Sequence, residues 1–545
     1  MAHPASKKST FMRLLALVAT FSLPPAIAVP FSNRASSDPG TTVSTSQGAV
    51  AGTLLSPRVR QFLGVPYATA ARWMVPSAPP VRTSTLSATE FGITCTQSTA
   101  ASVAEFLNLS GAGTLSANGT ALVAGDACLT ANIWAPSVDR PQGTAVMVWI
   151  YGGSFEFGTS NFAAYLGNNI VDAHDDVAVV TINYRTNIFG QPNAPQFNPP
   201  GQAQNFGLLD IAAAIEWVHA NIAAFGGDPG RITLFGQSAG SVAIDAYVYA
   251  QAGAGSAALI QGVIMESGTL DLVLSVPIGK IGTNEADVSA WQQVSKAVGC
   301  GTAATAAQLT CMRAVDPNVL EQAVLSTGTS FEVIVDDVTI FSDTRARAAA
   351  GNFLHVPMLT GTTANEGDIF VVAEELLTLD FAVPGVTTVV SNAVTQVAFT
   401  CPASTASTDR TNAGVPVWRY QYDAVFPDIS TRPDLRAYHS SEIPIVFGTY
   451  NASTSPSAAT ATEIALSTYV QSAWVAFARN PATGLTGSGF TWPEYGATKE
   501  VILLGNSANP TGKTVVSAGA VDTDCGTIDV LVDVYNDLGL IVSLL

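Results

Sequence analysis

Gly236-Gln237-Ser238-Ala239-Gly240 lies between an apolar, strand-like run, Ile232 to Phe235, and a helix-like run that opens at Ser241. A serine on so sharp a strand-to-helix turn has its hydroxyl pushed into a cleft, with the next residue's N–H aimed at the same space. The arrangement points to nucleophilic attack on a carbonyl. A chain with 46 glycines also yields small-x-Ser-x-small runs by chance, and an ordinary tight turn is the alternative. The rest of the sequence has to decide between them.

Short β-rich apolar runs alternate with helical stretches along the chain. Ala145 to Ile150, Val177 to Tyr184, Ile232 to Phe235, Gly262 to Met265, Val356 to Gly361 and Val417 to Tyr422 read as strands. Asp210 to Phe225 and Ser467 to Arg479 read as helices. Continuous apolar strands separated by helices imply an α/β fold, with a large, mostly parallel central sheet flanked by helices on both faces. Ligands of such sheets gather beyond the strands' C-terminal ends, and the motifs below fall just after strands.

The first 28 residues have the pattern of a secretory signal. Lys7, Lys8 and Arg13 precede the apolar run Leu14 to Leu23, and Ala26-Ile27-Ala28 supplies small residues for cleavage. That apolar stretch falls far short of the ~20 residues that span a bilayer, and Asp529, Asp533 and Asp537 interrupt the other candidate run. The expectation is a secreted, extracellular chain without a transmembrane anchor. Cleavage removes three cations and no acids, so the formal charge of −18 becomes −21. Such acidity argues against nucleic acid as a partner. No long linker separates the motifs, so residues 29–545 are read as a single domain.

A serine nucleophile needs a base. Of five histidines, His3 leaves with the leader, while His174 and His219 precede the serine. The α/β-hydrolase chain order is nucleophile, acid, histidine. His355 abuts a strand with no convincing strand-end acid before it, which leaves His439 in the loop-like Arg436-Ala437-Tyr438-His439-Ser440-Ser441-Glu442. Between them, Val356 to Gly361 runs into Thr362-Thr363-Ala364-Asn365-Glu366-Gly367 and offers Glu366, with Asp368 as a nearby rival. The acid would fix the imidazole tautomer through Nδ1 and stabilise the imidazolium. Oxyanion stabilisation needs backbone donors that side chains do not obstruct, and Trp149-Ile150-Tyr151-Gly152-Gly153-Ser154-Phe155 ends a strand with a small-residue run.

Together, Gly236 to Gly240, the Gly-Gly-Ser-Phe run, Asn365-Glu366-Gly367 and His439 through Gly448 resemble the type-B carboxylesterase/lipase family, the cholinesterase-like branch of the α/β-hydrolases. Phe62 to Ala68, Cys128 to Trp134 and Phe225 to Pro229 add to the resemblance, which covers nearly all of the mature chain and suggests a secreted, fungal-like member. It implies Ser238 as nucleophile, Glu366 as acid, His439 as base, and the N–H groups of Gly153, Ser154 and Ala239 as oxyanion donors. The implied reaction is hydrolysis of a small-molecule or lipid carboxylic ester through an acyl-enzyme, with no metal or organic cofactor. Two positions depart from the family pattern: Ser154 stands where a third glycine is usual, and Gln237 where a glutamate is usual.

Six cysteines in a secreted chain suggest three disulfides, with 15 connectivities open to sequence alone. The resemblance implies Cys95 with Cys128 and Cys300 with Cys311, leaving Cys401 and Cys525 to each other or free. It also makes 95–128 a disulfide-closed flap over the site, whose one aromatic residue is Phe106. Choline esters are therefore disfavoured, since similar enzymes stack the ammonium on a flap tryptophan. Asn108, Asn118 and Asn451 head glycosylation sequons. Arg72 and Asp126 occupy positions that form an ion pair in related proteins, and Phe155 and Phe157 are candidates for an acyl pocket or for core packing. An interface-activated lipase and a non-catalytic, cholinesterase-like adhesion protein share this scaffold and remain the alternatives.

Overall fold

The computed structural model describes residues 40–111, 117, 119, 122–197, 201–275, 288–378, 386–452, 457–487 and 489–527. The leader-like segment 1–28, Asn118 and the acids near the C-terminus lie outside them. In chain order the strands are β1 (Thr42–Thr45), β2 (Gly48–Ala51), β3 (Thr53–Ser56), β4 (Val59–Pro66), β5 (Leu86–Ser87), β6 (Thr130–Pro136), β7 (Thr144–Ile150), β8 (Val177–Ile182), β9 (Gly227–Gln237), β10 (Gly262–Glu266), β11 (Met358–Thr363), β12 (Val417–Tyr422), β13 (Glu500–Leu504) and β14 (Lys513–Ser517). Eleven form one sheet in the order β14-β13-β12-β11-β10-β9-β7-β8-β6-β4-β3, and β1, β2 and β5 form a small second sheet.

The centre of the large sheet, from β8 through β7 and β9 to β13, is parallel. Every residue of β6, β7, β8, β10 and β11 is buried, as helices on both faces require, and β7 and β8 accordingly read as near-continuous apolar runs. The sheet is mixed at its margins, where β3, β4, β6 and β8 pair antiparallel, as do β13 and β14. Of these marginal strands, only β8 was among those expected from sequence; β3, β4, β6, β13 and β14 were not.

Local chemistry explains the shifted boundaries. β11 starts at Met358 and not Val356, because Pro357 has no N–H to give to the ladder. β8 stops at Ile182, and Tyr184 instead stacks on Tyr151 with ring centroids 4.4 Å apart and donates to its carbonyl oxygen at 2.8 Å. The helix expected at Asp210 to Phe225 runs from Phe206 to Asn221, then tightens into a 3₁₀ turn that ends at Gly226, whose φ of +96° is the left-handed cap. It is long and apolar enough to cross a membrane, but more than half of its most apolar stretch is buried inside the protein, as befits a core helix. The helix expected at Ser467 begins at Ala461, set by a capping box in which Thr460 and Glu463 bond each other's backbone N–H.

Disulfides join Cys95 to Cys128, Cys300 to Cys311 and Cys401 to Cys525. The first closes the segment 95–128, whose helix Ala101–Leu109 contributes Val103, Phe106 and Leu107 to the cavity described below. Arg72 does pair with Asp126, Nη2 to Oδ2 at 2.8 Å, with the carboxylate side partly exposed. The guanidinium is buried and also donates to the carbonyl oxygen of Val315 at 2.6 Å. It ties the base of the flap to the chain after the helix Ala306–Ala314.

Candidate active site

β9 ends at Gln237 and the helix Ala239–Ala250 begins two residues later, so Ser238 alone makes the turn. Its φ of 57° and ψ of −127° are strained for a residue with a side chain. The turn is held by its N–H, which donates to Glu266 O at the end of β10 (2.9 Å). Close approach to β7 dictates the glycine after it, since a Cβ on Gly240 would sit 2.0 Å from Ile150 O. Just beyond β7, Gly153, Ser154 and Phe155 all have positive φ, 110°, 53° and 59°. Gly153 and Ser154 line the same cavity as Ser238 and Ala239. Among the described residues, the N–H groups of Gly153 and Ser154 are not spent on a protein acceptor.

Ser154 thus occupies a backbone conformation that glycine adopts freely and an L-residue adopts at a cost of about 1 kcal/mol. The role expected of it from sequence is that of a backbone N–H donor, which glycine would retain. Ser154→Gly is expected to keep kcat within about tenfold of the native value; a loss above a hundredfold on an ester substrate would rule out the backbone at 154 as the donor.

Glu366 and His439 meet as the sequence suggested. His439 Nδ1 lies 2.6 Å from Glu366 Oε2, both groups are at most 1% exposed, and Glu366 Oε1 accepts from Thr363 N–H at 2.7 Å. The rival acid is engaged elsewhere. Asp368 pairs bidentately with Arg436 (2.7 and 2.9 Å) and so fastens the loop that carries His439 to the segment after β11. Of the other histidines, His355 bonds Gly351 O at 2.8 Å, His174 follows the helix Asn168–Ala173, and His219 sits in the last turn of the helix Phe206–Asn221.

Ser238 and His439 both line one cavity of about 510 Å³, within the usual range for small-molecule sites. The hydrogen bond to His439 Nε2, however, comes from the Gln237 side-chain amide at 3.0 Å and not from the Ser238 hydroxyl. Phe399 and Phe370 pack on the imidazole with centroids 4.7 and 5.1 Å away. Phe370 continues to Phe106 of the flap (5.9 Å), and Phe106 to Phe157 (5.8 Å), so the cavity has an aromatic wall. Phe155 and Phe157 are buried and line the cavity.

Carboxyls of Glu156 and Glu332 also line the cavity. Burial, then the neighbouring Glu321, pushes Glu156 up to about 7. Burial, then Glu156, pushes Glu332 up to about 8. Behind the elbow, burial raises Glu266 to about 8 and holds Glu442 well above the usual carboxylate range, with Glu266 and Glu366 adding repulsion. No cluster of three or more histidine, cysteine or acidic side chains suited to a metal ion occurs among the described residues. Asn108 and Asn451 are exposed.

Sequence reading missed the Gln237 contact, the Phe370–Phe399 wall and the buried acids. Phe370 lies one turn after Glu366 on the helix Gly367–Thr378 and could have been found by that spacing. Phe399 lies in a π-helical turn, Thr395–Thr400, for which the sequence carries no marker.

A model of the carboxylesterase family matches residues 39–378 and 385–519. A chlorogenic acid esterase of Aspergillus niger is 31% identical over 543 residues, covering 94% of this chain and 99% of that protein. Secreted lipase 5 of Gibberella zeae is 32% identical, covering 80% of this chain and 84% of that protein. A thermophilic PNB esterase of known structure superposes with a TM-score of 0.72 at 27% identity, over 90% of this chain and all of that one. With the match spanning both halves of the cavity, the chain belongs to the carboxylesterase family and is a carboxylic ester hydrolase with the α/β-hydrolase fold.

Proposed function

We propose that this hydrolase is a secreted serine esterase in which Ser238 is the nucleophile, His439 the base, Glu366 the acid, and the N–H groups of Gly153, Ser154 and Ala239 the oxyanion donors. The observation that carries this reading is the buried Glu366–His439 contact of 2.6 Å at the wall of the cavity that also holds the serine elbow. His439 takes the Ser238 proton as the oxygen attacks the ester carbonyl, and the oxyanion collects on the backbone donors. The same proton passes to the departing alcohol. Water then repeats the sequence on the acyl-enzyme to free the acid and Ser238. Glu366 holds the Nδ1–H tautomer, so that Nε2 faces the serine side.

The wall of Phe106, Phe157, Phe370 and Phe399 suits an apolar, ring-bearing acyl group, because aromatic rings pack well in offset and edge-to-face pairs. In a series of soluble esters of one alcohol, kcat/KM for the 3-phenylpropanoyl ester is expected to exceed that for the acetate by about tenfold or more. Flat kcat/KM across the series would sink this acyl preference, and a strong preference for emulsified long-chain acylglycerols would favour the lipase alternative.

The mature chain is read as one domain, 29–545, with 95–128 as its flap. Secretion is supported by the leader-like segment and by three disulfides, a pattern of oxidising compartments. Exposed Asn108 and Asn451 would carry glycans, as would the sequon at Asn118.

A further inference from the structure

Gln237 occupies the position between the strand that delivers the serine and the imidazole that must deprotonate it. The side chain is 3% exposed, and its Nε2 lies 3.0 Å from His439 Nε2. Its other end faces the oxyanion loop: a Cβ built on Gly152 would be 3.0 Å from Gln237 Oε1 and 2.8 Å from Ser238 Cβ. The amide is thus set against the nucleophile, the oxyanion loop and the base at once.

The roles of the atoms follow from their chemistry. An ionised carboxylate accepts and does not donate, so the 2.6 Å contact with Glu366 places the hydrogen of a neutral ring on Nδ1 and leaves a lone pair on Nε2. The amide NH₂ can only donate. A donor directed at that lone pair stabilises the neutral ring, and a proton arriving at Nε2 would face an N–H instead of an acceptor.

Resting on the assignment of His439 as base, we propose that Gln237 is a positioning residue that keeps the imidazole neutral and ready to accept the serine proton in acidic surroundings. Because Nε2 has one lone pair, the amide is also a placeholder there, giving way as the Ser238 hydroxyl engages with substrate. A glutamate in its place would accept from a protonated Nε2–H and attract its charge, favouring the imidazolium that cannot act as base.

Other groups around the ring leave this role to Gln237. Glu366 holds Nδ1. Glu266 on β10 and Glu442 on the histidine's own loop are kept protonated and uncharged through the acidic range by burial. The helix Gly367–Thr378 presents the ring of Phe370, and the turn Thr395–Thr400 that of Phe399. Arg436 is taken up by Asp368.

The test is the pH profile of kcat/KM for the full mature chain on a soluble aryl ester, each variant normalised to its own alkaline plateau. Gln237→Glu is expected to move the acid limb upward by about one pH unit or more. Gln237→Met, of similar size but without donor or charge, should move it upward by about half a unit. Stoichiometric labelling by a phosphonylating serine reagent at pH 8 establishes that each variant is folded with a reactive serine. An acid limb that stays within about 0.2 units of the native one in either labelled variant overturns the role of Gln237. Failure of the underlying assignment gives a different result, since His439→Ala would then retain ester hydrolysis.

Discussion

Replacing Ser238 by alanine is expected to lower kcat for ester hydrolysis by about 10⁵ to 10⁶-fold, the range seen when a serine hydrolase loses its nucleophile. The variant removes the one lining hydroxyl that is carried on the strand-to-helix elbow, and a water molecule would have to attack without the alignment that the elbow gives Oγ. The effect should fall on kcat. Alanine adopts a φ of +57° no less readily than serine, the N–H still donates to Glu266 O, and the donors at Gly153, Ser154 and Ala239 are untouched. KM is therefore expected to stay within about threefold. Single-turnover assays with a chromogenic ester separate the outcomes: the native chain gives a burst of alcohol equal to the enzyme present, and the variant gives none. A variant that keeps even one per cent of the native kcat would show that Ser238 is not the nucleophile.

Much of the site was legible because each of its parts sits where a strand of the parallel sheet ends. The elbow follows β9, Glu366 follows β11 by three residues, and the small-residue run follows β7. Chain order and the lack of a strand-end acid before His355 then left His439, and the loop it lies on is fastened to the segment after β11 by Asp368 and Arg436. Packing hid the rest. In the antiparallel wing, exposed or half-buried residues break the apolar runs of β3 and β4, as in Thr53–Ser56, and polar residues interrupt the buried β6. Phe399 reaches the imidazole only because the chain inserts a π turn, a backbone irregularity without a sequence pattern. Gln237 was noticed as a departure from the family, but its amide could equally have pointed into the helix. The distance to Nε2 decided that. Nor does any local rule place Glu266 at the core end of an apolar strand, where its neutral form accepts from Trp474 Nε1 at 2.7 Å.

Those buried acids are expected to make the fold more stable in acid than in alkali. Glu156 and Glu321 are pushed up to about 7, and Glu266 and Glu332 to about 8, in each case first by burial. Their carboxyls are protonated in the folded chain at pH 6, whereas in the unfolded chain they ionise near 4.5. Between those limits the folded state binds more protons than the unfolded one, so stability is fully present below about pH 4.5 and is lost as pH rises toward 8. Aspartates held low by hydrogen bonds, such as Asp175 and Asp337, act in the opposite sense: their contribution is present above about pH 4 and is lost only as pH falls below it, outside this window. Each pH unit of raised affinity corresponds to about 1.4 kcal/mol, and four partly independent groups together represent several kcal/mol. A net charge of −18 adds self-repulsion in the same direction. The melting temperature, measured at one scan rate, is expected to fall by roughly 5–10 °C between pH 5 and pH 8.5. Glu156→Gln with Glu332→Gln should flatten that slope, because the amides remain neutral throughout. A melting temperature that rises over the same interval would mean that these carboxyls are ionised in the folded protein, and with it the uncharged surroundings of His439 would be lost.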